Sequence, residues 1–222
     1  MADYNLNVAF TNEQLQVLYM TGSNVVVAKQ SGGSKPNVAW QVFRPMQANT
    51  LAWSEEYGIY ASTSDVVNGA KLSQLSNVPI GAAMSKLYTL ETSAVISGPA
   101  SGGQANAFAL QNLYDKPYMT VGLYQDATVN GTEIAGNATS AAAVIKASTA
   151  YMTPYTTVYI WIQSDVVSNS VVTTVTSPMT QLKYGAGINT FSVQYDSDSG
   201  KFINSGKAKQ IEGSILYLEA DL

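Results

Sequence analysis

The sequence predicts an all-β chain: a mostly antiparallel β-sandwich, jelly-roll or immunoglobulin-like, with at most one short N-terminal helix. Three observations carry this. Short runs rich in Val, Ile, Tyr, Thr and Trp recur along the whole chain, separated by clusters of Gly, Pro, Asn, Asp and Ser. No strand pattern alternates with a long helical one, which argues against a parallel α/β sheet. Hydrophobic residues make up 46% of the chain and charged residues only 12%, against roughly 25% charged in an ordinary globular protein. A core can therefore form, and its surface must be covered by small polar residues and Tyr rather than by ions. The 222 residues suffice for one sandwich over 1–222, or for two smaller β-domains divided near 97–106.

Taken in order, "YNLNVAF" (4–10) reads as the first strand. "TNEQLQVLYM" (11–20) is the helix candidate, with Thr11 as cap and Leu15, Leu18 and Tyr19 at helical spacing. "NVVVAKQ" (24–30) and "VAWQVF" (38–43) follow as strands around the turn cluster "SGGSKPN". "LAWSEEYGIYAS" (51–62) is a strand kinked near Gly58, and "KLYTLETSAVI" (86–96) another. "SGPASGGQAN" (97–106) reads as a long loop. After it come strands at 107–114 and 117–126. Asn130-Gly131 then marks a hairpin, the strongest such signal at short range. Residues 136–148 read as a loop and strand. The remaining strands are 155–165, 170–177, 180–185, 189–195, 201–206 and 213–222. The expected core residues are Val25, Val27, Trp40, Val42, Leu123, Val158, Ile160, Ile162, Phe191 and Val193.

Composition excludes several chemistries. Cys and His are both absent, so the chain has no disulfides, no thiolate, no histidine general base and no ordinary zinc, copper or haem site. Net charge is −4 and Arg44 is the single arginine, which argues against a nucleic-acid partner. The residues after Met1 show no basic and apolar leader pattern, so the expectation is a cytoplasmic protein, or one released without a visible signal peptide. No cofactor is expected.

The candidate site comes from strand alternation. In "YTTVYIWIQSD", Val158, Ile160 and Ile162 share one face, while Tyr155, Tyr159, Trp161 and Gln163 share the other. In "PYMTVGLYQD", Tyr118, Tyr124 and Asp126 face away from Met119, Val121 and Leu123. Aromatic rings stack on the apolar faces of sugars, and polar neighbours take the hydroxyls. The expected ligand contacts are therefore Tyr118, Tyr124, Tyr155, Tyr159 and Trp161 for stacking, with Asp126 and Gln163 for hydrogen bonds. The alternative is that these rings fill a second buried side.

Other motifs carry less. Glu55 and Glu56 are sequence neighbours, so in a strand they point to opposite faces and read as a solvated edge. One of them would need a distant carboxylate such as Asp126 or Asp165 for glycosidic chemistry. Asp196 and Asp198 before Gly200 read as a hairpin turn with a weak capacity for calcium. Asn130-Gly-Thr132 and Asn137-Ala-Thr139 match the glycosylation sequon by chance. Residues 164–195 are nearly uncharged and rich in Val, Ser and Thr. In composition the segment resembles the membrane-inserting hairpins of aerolysin-type β-pore-forming toxins, which would imply lipid-facing residues alternating with lumen-facing Ser and Thr. The adjacent pairs Val166-Val167 and Val171-Val172 break that alternation.

The functional expectation is a non-enzymatic, lectin-like protein that recognises a glycan or glycoconjugate, as a homo-oligomer. The alternatives are a pore-forming cytolytic or insecticidal toxin using 164–195, with a membrane as partner, and a structural self-assembling protein.

Overall fold

A computed structural model describes residues 2–30, 33 and 35–205. Alternating and wholly apolar runs become strands throughout. The elements are β1 (Asp3–Ala9), α1 (Asn12–Met20), β2 (Asn24–Lys29), β3 (Val38–Ala39), β4 (Gln41–Phe43), β5 (Ala48–Ser54), β6 (Gly58–Ser62) and β7 (Gln74–Val78). Then follow β8 (Leu87–Leu90), β9 (Ile96–Ala100), β10 (Phe108–Asn112), β11 (Tyr118–Val129), β12 (Thr132–Ala138), β13 (Ala142–Ile145) and β14 (Thr149–Met152). The last are β15 (Thr157–Gln163), β16 (Ser170–Val171), β17 (Thr180–Lys183), β18 (Thr190–Asp196) and β19 (Lys201–Asn204).

The fold is an all-β sandwich. Its spine is one long sheet in the order β19-β18-β1-β5-β11-β6-β7, with β12 and β13 also paired to β11. The sheet β17-β15-β2-β4 and the sheet β14-β10-β8-β9 supply further layers. Pairing is antiparallel except for β1 with β18 and β8 with β10. One core joins Leu6, Val8, Leu51 and Phe191 of the spine to Val25, Val27, Val158, Ile160 and Ile162. A second joins Ile59, Met119, Val121 and Leu123 to Tyr88, Leu90, Phe108 and Leu110. Strand β11 contributes to both, since Ala127 and Val129 lie in the first core.

Nine of the ten expected core residues are fully buried; Val42 is half-buried against the outer face of β2 and β15. The helix forms where expected. Thr11 and Gln14 make a reciprocal capping box, and Leu15 and Leu18 face the first core. Among the described residues no helix is long and apolar enough to cross a membrane.

Several elements differ from expectation. Residues 38–43 form two strands, because the chain changes partner at Trp40, from β16 to β2, as the indole enters the first core. Residues 51–62 likewise divide at Glu55–Tyr57. Gly58 sits there because Tyr124 lies directly across the ladder, and a Cβ would fall 2.2 Å from that ring. The glycine-rich stretch after Ser97 is not all loop: Ser97–Ala100 complete β9, an edge strand on which Pro99 is tolerated. Strand β7 was not expected, because "QLSNV" is half-polar. Of 170–177 only Ser170 and Val171 pair. The expected strand at 213–222 lies outside the described residues.

Candidate functional site

The two ring-bearing faces do not form one open surface. Strands β11 and β15 belong to different sheets. On β15, Trp161 is 0% exposed and Tyr159 7%. They pack with Val26, Ala28, Ala39 and Val172, beneath Val166, Val175 and Met179. The chain after β15 thus folds back over the strand's second face. The Trp161 indole N–H donates to Gln163 Oε1 at 2.8 Å, and Gln163 Nε2 donates to the Thr174 carbonyl at 3.3 Å. On β11, Tyr124 is 6% exposed, lies on Gly58 and donates its hydroxyl to the Val78 carbonyl at 3.0 Å.

This corrects the expectation for Tyr124, Tyr159 and Trp161 as stacking residues and for Gln163 as their polar partner. Each large ring was sealed by its own chain, because burying it there removes more apolar surface from water than leaving it open. Tyr118 is 44% exposed and donates to Asp65 Oδ1 at 2.6 Å, a bond that pushes its phenol pKa up. Tyr155 is half-buried in a cleft described below.

Asp126 lies in a cleft of about 490 Å³. The cleft exists because the spine sheet splits. Strand β11 pairs with β6 from Thr120 to Tyr124, and then with β5 only at Thr128↔Ala52 and Val129↔Leu51. Between these ladders the β11–β12 pairing has a bulge: β12 carries the extra residue, with Ala135 and Gly136 opposite Asp126. Bulges re-aim side chains in this way.

Four carboxylates line the cleft, from Asp3, Glu56, Asp126 and Glu133, with the amides of Asn5 and Gln125 and the rings of Tyr4 and Trp53. Among the described residues no Lys or Arg lines it. Asp126 Oδ1 accepts from the Gly136 N–H at 2.7 Å, and Asp3 Oδ1 accepts from Ser54 Oγ at 2.6 Å. These bonds fix the two carboxylates from one side. Gln125 Nε2 donates to the Ser54 carbonyl at 2.6 Å, holding the two separated strands together. Gln125 Oε1 and Trp53 Nε1 have no hydrogen-bond partner among the described residues although both side chains are buried. Such atoms are rare in folded proteins and carry a desolvation penalty.

Comparison with known protein-family models, curated proteins and solved structures finds no match to this chain. The site therefore stands on its own geometry.

A second cluster lies behind the Trp53 wall. Lys29 is 2% exposed, and its ammonium donates to Glu55 Oε2 and to the Tyr57 hydroxyl, each at 3.1 Å. The Tyr57 hydroxyl in turn donates to Glu55 Oε1. The ammonium lies 5.2 Å from the Trp40 and Trp53 ring centroids and 5.1 Å from that of Tyr57, a distance at which the ring quadrupole attracts a cation. Burial nevertheless pulls the Lys29 pKa down to about 8, against the opposing pull of Glu55. Burial and the Glu55 charge push the Tyr57 phenol well up. Glu55 is thus the anion of a buried ion pair, not a solvated edge. Lys29 was legible in part: it shares the strand face of Val25 and Val27, and a cation in register with core valines needs a partner.

Asp196 spends its carboxylate on the turn, accepting from the Ser199 N–H at 3.1 Å and from the Ser199 hydroxyl, which lowers its pKa. Among the described residues no group of three acidic side chains is placed to hold a metal. The 164–195 segment is shared among three sheets, with β16 on β3, β17 on β15 and β18 on β1. Its strands do not pair with each other as a hairpin.

Proposed function

We propose that the chain is a non-enzymatic glycan-binding protein whose site is the cleft in the split spine sheet, with Asp126 retained from the expected contacts. The observation that supports this most is the lining. Carboxylates accept hydrogen bonds, amides both donate and accept, and hydroxyl-rich ligands supply the complementary groups. The volume, about 490 Å³, falls within the range of roughly 300–1,000 Å³ seen for small-molecule sites. With four carboxylates and no cation among the described lining residues, neutral sugars are favoured over sialylated, sulfated or uronic ones, whose anions would be repelled.

A glycan array followed by calorimetry tests this. Asp126→Asn and Glu133→Gln are each expected to weaken the best neutral ligand about tenfold, ~1.4 kcal/mol. Trp161→Phe is expected to leave affinity unchanged, since the indole is sealed elsewhere. Absence of any glycan hit, or binding indifferent to both cleft variants, refutes the proposal.

A further inference from the structure

A second cleft, of about 260 Å³, opens beside the second core. Lys29 and Tyr57 line it on one side. Val121, Leu123, Ala141 and Met152 give it apolar walls, and Tyr151 and Tyr155 lie toward solvent. This combination of a buried amine, a partly apolar cleft and a carboxylate on the amine is unused by the glycan reading.

We propose that Lys29 is a reactive amine and that this cleft takes a small aliphatic aldehyde, which condenses with Nζ to a protonated imine. An anionic ligand fits poorly, because Glu55 already neutralises the lysine at 3.1 Å. An uncharged carbonyl compound meets no such competitor. The step balances without any co-reactant. The ammonium gives a proton to Glu55, and the freed lone pair attacks the carbonyl carbon. The carbonyl oxygen takes up protons and leaves as water. The product, R–CH=NH⁺–Lys29, carries the same charge as the ammonium it replaces.

The surroundings suit that product. The iminium keeps Glu55 as counter-ion and stays within the three-ring cage of Trp40, Trp53 and Tyr57. The aldehyde's alkyl group lies along Val121 and Leu123 instead of in water. Lysines desolvated in apolar pockets are nucleophilic for the same reason, since the free amine is populated near neutral pH. With its pKa lowered to about 8, Lys29 has a free-amine fraction at pH 7 on the order of 10² larger than an ordinary lysine.

The test treats the full chain with butanal and cyanoborohydride, which reduces any imine to a stable butyl-lysine, and maps the product by peptide mass spectrometry. Lys29 is expected to be alkylated at least tenfold faster than the exposed Lys116 and Lys183. Its rate should level off above pH 8, while theirs keep rising toward pH 10. In the urea-unfolded chain the preference should vanish. Ala142 is exposed and lines the cleft, so Ala142→Leu should slow Lys29 about tenfold and leave Lys116 unchanged. A Lys29 that is unmodified, or no faster than the exposed lysines, overturns the proposal. So does a preference that survives unfolding or ignores Ala142→Leu.

Discussion

At the scale of single residues, the sequence's loudest signal was its aromatic rings, and these divide by what covers them. Trp161 stands on a strand whose other face is aliphatic, so it lies either on a surface or in a second core. Residues 166–179 decide for the core, and nothing within β15 itself could have announced that. Trp161→Ala should therefore cost about 3–5 kcal/mol, the range for emptying a large buried site. Urea unfolding measures it, and a loss below about 1 kcal/mol would mean that the ring is not sealed. Asp126 was legible as a polar residue beside Tyr124, but its place in the cleft comes from a bulge, which single-strand alternation does not show. Glu55 and Lys29 were harder still. Their pairing joins residues 26 apart in sequence, and only the burial of Lys29 makes the carboxylate necessary.

At the scale of elements, period and punctuation succeeded where a segment's fate is decided locally. Helix α1 is the clearest case, because its cap, its box partner and its two buried leucines all lie within eight residues. The Asn130-Gly131 hairpin is another, both residues having positive φ. Failures fell where partners are distant: β7 is too polar to read as a strand until β6 pairs with it, and β9 contains Gly and Pro but sits at an edge. The helix offers a graded test. Thr11→Ala removes one capping bond and should cost about 1 kcal/mol. Gln14→Ala should cost more, because Gln14 Nε2 also donates to the Tyr195 carbonyl at 2.9 Å and so ties α1 to β18. Equal losses in urea midpoints would show that this tie contributes nothing. The 164–195 segment belongs to the same scale: three separate ladders would have to open before it could enter a bilayer as a hairpin, which makes the pore reading the costlier one.

At the scale of the whole molecule, the buried ionisable groups predict an unusual pH profile. The folded Lys29 has a pKa of about 8, against roughly 10.4 in an unfolded chain. Between these values the unfolded state binds more protons, so stability rises with pH, by at most about 1.4 kcal/mol per unit. Below pH 8 that contribution is absent, because the fold must then hold a buried ammonium. The tyrosines act with the opposite sign. Burial raises Tyr57, Tyr60 and Tyr184 above the ordinary phenol value. Above about pH 10 the unfolded chain loses those protons while the fold keeps them, and stability falls. The two trends meet, so the urea midpoint should climb from pH 8 to a maximum near pH 10 and then drop. Lys29→Met combined with Glu55→Gln replaces the ion pair with neutral side chains and should remove the climb while leaving the drop. A midpoint that declines steadily from pH 7, or a climb that persists in the double variant, would show that Lys29 is not held in the low-dielectric cage of Trp40, Trp53 and Tyr57.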